Sequence, residues 1–121
     1  MSPRRKTTTQ PAESFLPLKP RIFLMLLALV REQRHGYALK EELFRQTNGR
    51  LNLGPGTLYR TLHSMLKDGL VEESEERPDP DEDDERRRYY IITGLGREVA
   101  AAEAERLSLL VETAKAERLI P

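Results

Sequence analysis

Apolar residues are unevenly spread along the chain, and their spacing divides it into elements. Residues 1–14 are polar, hold Thr7-Thr8-Thr9 and two prolines, and show no apolar periodicity, so they are expected to be disordered. After Pro20 comes a segment that is apolar nearly all round. A helix is predicted from about Arg21 to Gln33, packed on several sides. His35-Gly36 opens a turn. A second helix is predicted from about Tyr37 to Gln46, with Leu39, Leu43 and Phe44 inward and Lys40, Glu41 and Arg45 outward. Asn48-Gly49 signals a turn. Leu51 and Leu53 alternate with polar neighbours, which suits a short strand or an extended link.

The second half has a sharper pattern. Gly54-Pro55-Gly56 sets up a third helix on which Leu58, Leu62, Met65 and Leu66 share one face. Thr57, Arg60, Thr61, Ser64 and Lys67 fall largely on the other side, and Gly69 is the expected stop. Val71 to Arg77 reads as a weak strand, weakened by four glutamates. Residues 78–81 read as a turn. Arg87 to Thr93 reads as a returning strand, strengthened by Tyr89, Tyr90, Ile91 and Ile92. Thr93 can cap a last helix, from about Leu95 to Arg118, with Leu95, Val99, Ala102, Leu107, Leu110, Val111 and Ala114 as its apolar stripe. The predicted fold class is mainly α with a small β-hairpin: a winged helix-turn-helix plus a C-terminal dimerisation helix. The expected organisation is a flexible basic arm over residues 1–16, the winged unit over 17–93, and the dimerisation helix over 94–121.

Charge adds detail rather than direction. The 121-residue chain has 20 basic and 20 acidic residues, a balance that argues against a simple basic nucleic-acid binder. The charges are locally segregated, however. Arg4, Arg5 and Lys6 form a basic arm, which reads either as a solvated tail or as a contact for phosphate. Asp79, Asp81, Glu82, Asp83, Asp84 and Glu85 form an acidic cluster, and Arg86, Arg87 and Arg88 follow it directly. There is no cysteine, and His35 and His63 lie far apart, so neither a disulfide framework nor a zinc site is expected; the metal and cofactor expectation is none. The apolar run Ile22 to Val30 is too short for a bilayer span, and no targeting segment is apparent, so a cytoplasmic protein without membrane contact is expected.

Candidate chemistry concentrates on the third helix. Its glycines and proline allow the N-terminus to approach a phosphate closely, besides starting the helix. Thr57, Tyr59, Thr61 and Ser64 can donate to phosphates or base edges. Arg60 lies early on the helix and can pair with guanine in bidentate fashion. Lys67 lies late and suits phosphate; His63 lies at the edge of the polar face, as a structural residue or a weak backbone contact. Tyr37 opens the second helix, where packing beneath the first helix is weighed against phosphate contact through its hydroxyl. On the returning strand, alternation sends Arg87 to one face and Arg86 and Arg88 to the other. The acidic tip can hold these arginines until DNA competes for them. The last helix has too little domain beneath it to bury its stripe. Ile22, Leu26, Leu107, Leu110, Val111 and Ala114 are therefore expected at a homodimer interface, with packing on the chain's own first helix as the alternative.

Four segments carry a resemblance. His35-Gly36-Tyr37-Ala38-Leu39, Gly54-Pro55-Gly56-Thr57-Leu58-Tyr59, Asp68-Gly69-Leu70-Val71 and Arg88-Tyr89-Tyr90-Ile91-Ile92-Thr93 resemble, in order and spacing, the PadR family of bacterial transcriptional regulators. The match spans roughly residues 17–118. It implies a winged helix-turn-helix homodimer that represses through a roughly palindromic operator on double-stranded DNA, with the C-terminal helix mediating dimerisation. Some members hold flat aromatic effectors between tryptophans. This chain has no tryptophan, so that pocket does not carry over. A cavity at a dimer centre of apolar helices would still admit a small hydrophobic effector. An acidic wing tip also departs from the basic wing expected in a groove. The rival reading is a winged-helix module for protein–protein contact without an operator. No nucleophile–base pair, phosphate loop or metal cluster supports an enzyme.

Overall fold

The computed structural model describes residues 11–74 and 88–121. Ala12–Phe15 forms one turn of 3₁₀ helix. It is followed by α1 (Pro20–Leu29), β1 (Arg34–His35), α2 (Gly36–Gln46), α3 (Pro55–Lys67), β2 (Val71–Ser74), β3 (Tyr89–Ile92) and α4 (Gly94–Ala116). The basic arm, the turn at 78–81, the acidic tip, and Arg86 and Arg87 lie outside the described residues, as does the end of the strand expected to reach residue 77.

Local chemistry sets the element boundaries. Proline stands at the first position of α1 and of α3, where no N–H is needed. His35 Nδ1 accepts from the N–H of Ala38 to cap α2, and Thr93 Oγ1 accepts from the N–H of Gly96 to cap α4. Three helices end in the same way, with a residue of positive φ and a pair of reversed hydrogen bonds. At α3 the positive-φ residue is Gly69, with Leu70 N–H donating to Met65 O and Gly69 N–H to Leu66 O. Asn48 does this for α2 and Arg118 for α4.

Two expectations are corrected. The first helix stops at Leu29 rather than Gln33, because Arg34 and His35 leave it to pair antiparallel with Tyr90 and Tyr89. The wing is consequently not a lone hairpin but a three-stranded sheet of order β1-β3-β2, with Val71 opposite Ile92 and Ser74 opposite Tyr89. Arg34 Nε and Arg97 Nη2 donate to the Ala28 and Val30 carbonyls left open at the end of α1, at 2.7 and 2.9 Å. A two-residue strand between helices leaves no periodicity to read. The second correction concerns residues 12–16. Ala12, Phe15 and Leu16 pack against the core instead of belonging to a free arm. Leu51 and Leu53 lie in a link outside any strand, one of the two forms their alternation suited.

Apolar side chains of all four helices meet in a single core. Met25, Leu26, Leu29, Leu39, Leu43, Leu58, Leu62, Met65 and Val99 are almost wholly buried, and Leu70, Val71, Tyr90 and Ile92 close it from the sheet. Burial of each such side chain contributes roughly 1.5–3 kcal/mol. Gly96 lets α4 start against the sheet, since a β-carbon there would lie 2.2 Å from Leu70 O. Glu103 is a charged exception, only 2% exposed, on the inner face of α4. Arg106 Nε and Nη2 reach its two carboxylate oxygens, both at 2.8 Å. That bidentate pair holds the Glu103 carboxyl below its usual range. The backbone N–H of Leu18 works in the same direction and burial against it.

Candidate nucleic-acid interface

Helix α3 divides cleanly into two faces. Leu58, Thr61, Leu62 and Met65 point into the core. Tyr59, Arg60, His63, Ser64 and Lys67 lie on the exposed face. No aspartate or glutamate occurs between Pro55 and Lys67, so the face is basic within an electrically neutral chain. The α3 N-terminus has Gly54 as its cap residue and no side-chain acceptor. Its first-turn N–H groups and the positive end of the helix dipole suit an anion. Gly56, Tyr59, Arg60, His63, Ser64 and Lys67 line one shallow depression along the helix.

Individual side chains are further placed by their contacts. Tyr59 is half exposed, and its hydroxyl end rests over Gly36 at the start of α2. Arg60 Nη2 donates to Thr57 Oγ1 at 3.3 Å. Tyr37 is 57% exposed, so the packing beneath α1 favoured from sequence does not occur. Thr61 is a correction. It is buried, and its hydroxyl donates to Thr57 O at 2.7 Å and accepts from Arg21 Nε at 3.0 Å. A helical wheel places Thr61 at the face boundary, and only the packing of α1 against that boundary decides the side.

The wing borders the same surface. A second groove lies between α3 and the sheet, where Tyr59 and His63 face Glu73, Arg88 and Tyr90. Arg88 Nη1 donates to Glu73 Oε1 at 3.1 Å, pairing within the wing. Burial pushes the Tyr90 phenol up, and the Glu73 carboxylate adds to the effect. Sequence reasoning missed Lys19 and Arg21. They stand at the start of α1, beside Thr57, Arg60 and Ser64. The apolar character of α1 masked them, and no local motif marks them.

The residues assigned to a dimer interface are divided. Leu26 is a correction, being wholly buried in the chain's own core. Ile22, Leu107 and Ala114 are half-buried, whereas Leu110 and Val111 are exposed, as is Leu109. Among the described residues no group of three potential metal ligands occurs, and no helix is long and apolar enough to cross a membrane.

Comparison with known proteins fits this geometry. The model of the transcriptional regulator PadR-like family matches residues 25–102, from the core of α1 through the wing into α4. The chain belongs to the PadR-like family. As a PadR-family protein it is a DNA-binding transcriptional regulator and not an enzyme. Three solved structures share its fold. A PadR family transcription regulator from Clostridium difficile superposes with a TM-score of 0.67 at 17% identity, over 81% of this chain and 97% of the other. RosR of H. salinarum gives 0.63 at 26% identity, over 87% and 96%. A PadR-like transcription factor from Bacteroides fragilis gives 0.60 at 26%, over 78% and 86%. No curated protein sequence matches the chain.

Proposed function

We propose that this PadR-family regulator is a homodimeric repressor that places α3 of each protomer in the major groove of a roughly palindromic operator. The acid-free exposed face of α3, from Gly56 to Lys67, carries the proposal. Arg60 is the base reader, since a guanidinium can bond both acceptors of guanine. Tyr37, Thr57, Tyr59, Ser64 and Lys67 serve phosphates. Arg88 joins them from the wing, with Arg86 and Arg87 assigned the same role from their place in the sequence. Leu107, Leu110, Val111 and Ala114 of α4 meet the partner protomer, together with Ile22. Three large apolar side chains in a row, Leu109 to Val111, are exposed on one turn of α4, and a second copy is their natural cover. The two α3 helices would then stand about one DNA turn apart, roughly 34 Å. An apolar effector at the dimer centre would act by changing that spacing.

The test titrates the protein against its own promoter fragment and against a scrambled duplex at two salt concentrations, with its mass in solution measured alongside. Tight, selective and salt-sensitive binding by a dimer is expected. Equal weak binding to both duplexes, insensitive to salt, would favour a protein-contact module instead. A monomer would remove the two-headed arrangement.

A further inference from the structure

We infer that Lys19 and Arg21, at the start of α1, build with Thr57 and Ser64 of α3 a seat for one DNA backbone phosphate. This rests on the DNA reading above and adds a contact from a helix that carries none in it.

The seat is a cleft of about 120 Å³ between the start of α1 and the stretch of α3 from Thr57 to Ser64. Lys19 stands at the cap position of α1, Arg21 and Ile22 come from its first turn, and Thr57, Arg60, Thr61 and Ser64 come from α3. Three of these side chains are cations, of which Lys19 and Arg21 are left for a phosphate while Arg60 is assigned to the base edge, and no carboxylate lines the cleft. Among the described residues none of the three forms an ion pair. Neither helix has a side-chain cap, the cap positions being Lys19 and Gly54. The uncapped start of α1 and the charges of Lys19 and Arg21 at one small concavity favour a compact anion over a flat base edge.

Thr61 explains why the seat is ordered. Its buried hydroxyl accepts from Arg21 Nε at 3.0 Å while donating to the α3 backbone at Thr57 O. A guanidinium carries five donors in a fixed fork, so Nε anchors Arg21 and the terminal nitrogens keep their hydrogens for a ligand. The chain thus joins α1 to the recognition helix through a side chain that sequence pattern assigned to DNA itself. Thr61 is a positioning residue for Arg21. Lys19 is exposed and has no such anchor, and supplies charge alone.

Phosphate contacts have a signature that base contacts lack. Each one removed lowers the slope of log K against log salt by about 1 and weakens all sequences alike. The experiment measures binding of wild type, Lys19→Ala, Arg21→Gln and Arg21→Lys to the own-promoter and scrambled duplexes across a salt series, with thermal unfolding of each variant. Lys19→Ala and Arg21→Gln are each expected to flatten the slope by about 1 and to leave the ratio between the two duplexes unchanged, while Arg21→Lys keeps the wild-type slope. A folded Lys19→Ala protein with the wild-type slope overturns the seat, and it does so independently of any strain that Arg21→Gln places on Thr61. A loss confined to the promoter duplex also overturns it, because that marks base reading. Wild type that retains neither duplex at low salt fails the DNA reading itself, and the seat with it.

Discussion

Tyr59 lies so close over Gly36 that a β-carbon there would sit 2.5 Å from the tyrosine hydroxyl oxygen and 2.9 Å from its Cζ. The backbone of α2 at its first residue therefore serves as the floor on which an α3 side chain rests. Contact explains why glycine follows His35, where no positive φ requires it. Gly36→Ala must displace the Tyr59 ring. The ring is half exposed and can swing aside, so unfolding stability should change by no more than about 1 kcal/mol. DNA affinity should fall several-fold, because the displaced ring lies on the contact face. A variant that keeps both its stability and its affinity would remove Tyr59 from the interface.

Arg60 should determine sequence preference. Its guanidinium is exposed and its one hydrogen bond, to Thr57 Oγ1, is weak at 3.3 Å and easily exchanged. Arg60→Ala is expected to narrow the difference between promoter and scrambled duplex by about 1–3 kcal/mol, read by competition binding. Retention of full selectivity would move base reading to another residue.

Glu73 restrains Arg88. Their side chains are 44% and 65% exposed, so the pair is worth little in water and opens readily. Near a phosphate it nevertheless places an opposing negative charge in the groove beside α3. Glu73→Gln should tighten binding to any duplex and steepen its salt dependence. Unchanged or weaker affinity counts against this restraint. The acidic tip at 81–85, expected to act in the same manner, lies outside the described residues, and the corresponding variants test it separately.

Glu103 should make stability depend on acid pH. Arg106, and the Leu18 N–H with it, hold its carboxyl below the usual value, so the folded state favours the charged form. That stabilisation is complete above the unfolded carboxyl's pKa, roughly 4.3, and is lost as pH falls through the lower folded value. Glu103→Gln should be destabilised by about 1–3 kcal/mol at pH 7 in urea denaturation, with the deficit shrinking below about pH 4. A deficit that stays constant from pH 7 to pH 3.5 would make the residue's role one of shape and not charge.

Much of this protein was legible along the chain because its signals are local. Four-, three- and one-residue spacings of Leu58, Leu62, Met65 and Leu66 define an inward face whatever surrounds the helix. Proline at the first helical position, Thr93 as a cap and Gly69 as a stop act through backbone geometry within a few residues. Those features specified three helices, a wing and a long last helix, and they put Tyr59, Arg60, Ser64 and Lys67 outside.

Tertiary structure decided whatever depends on a distant neighbour. Arg34 and His35 are a strand only because Tyr89 and Tyr90 offer an open edge, more than fifty residues away. Thr61 sits on the boundary of α3, and Arg21, forty residues earlier, turned its hydroxyl inward. Leu26 entered its own core and not a partner's because α1 is enclosed by the other helices. Periodicity records which residues share a face of one element. Which face meets which partner is settled by packing between elements, and the spacing within a single element holds no record of it.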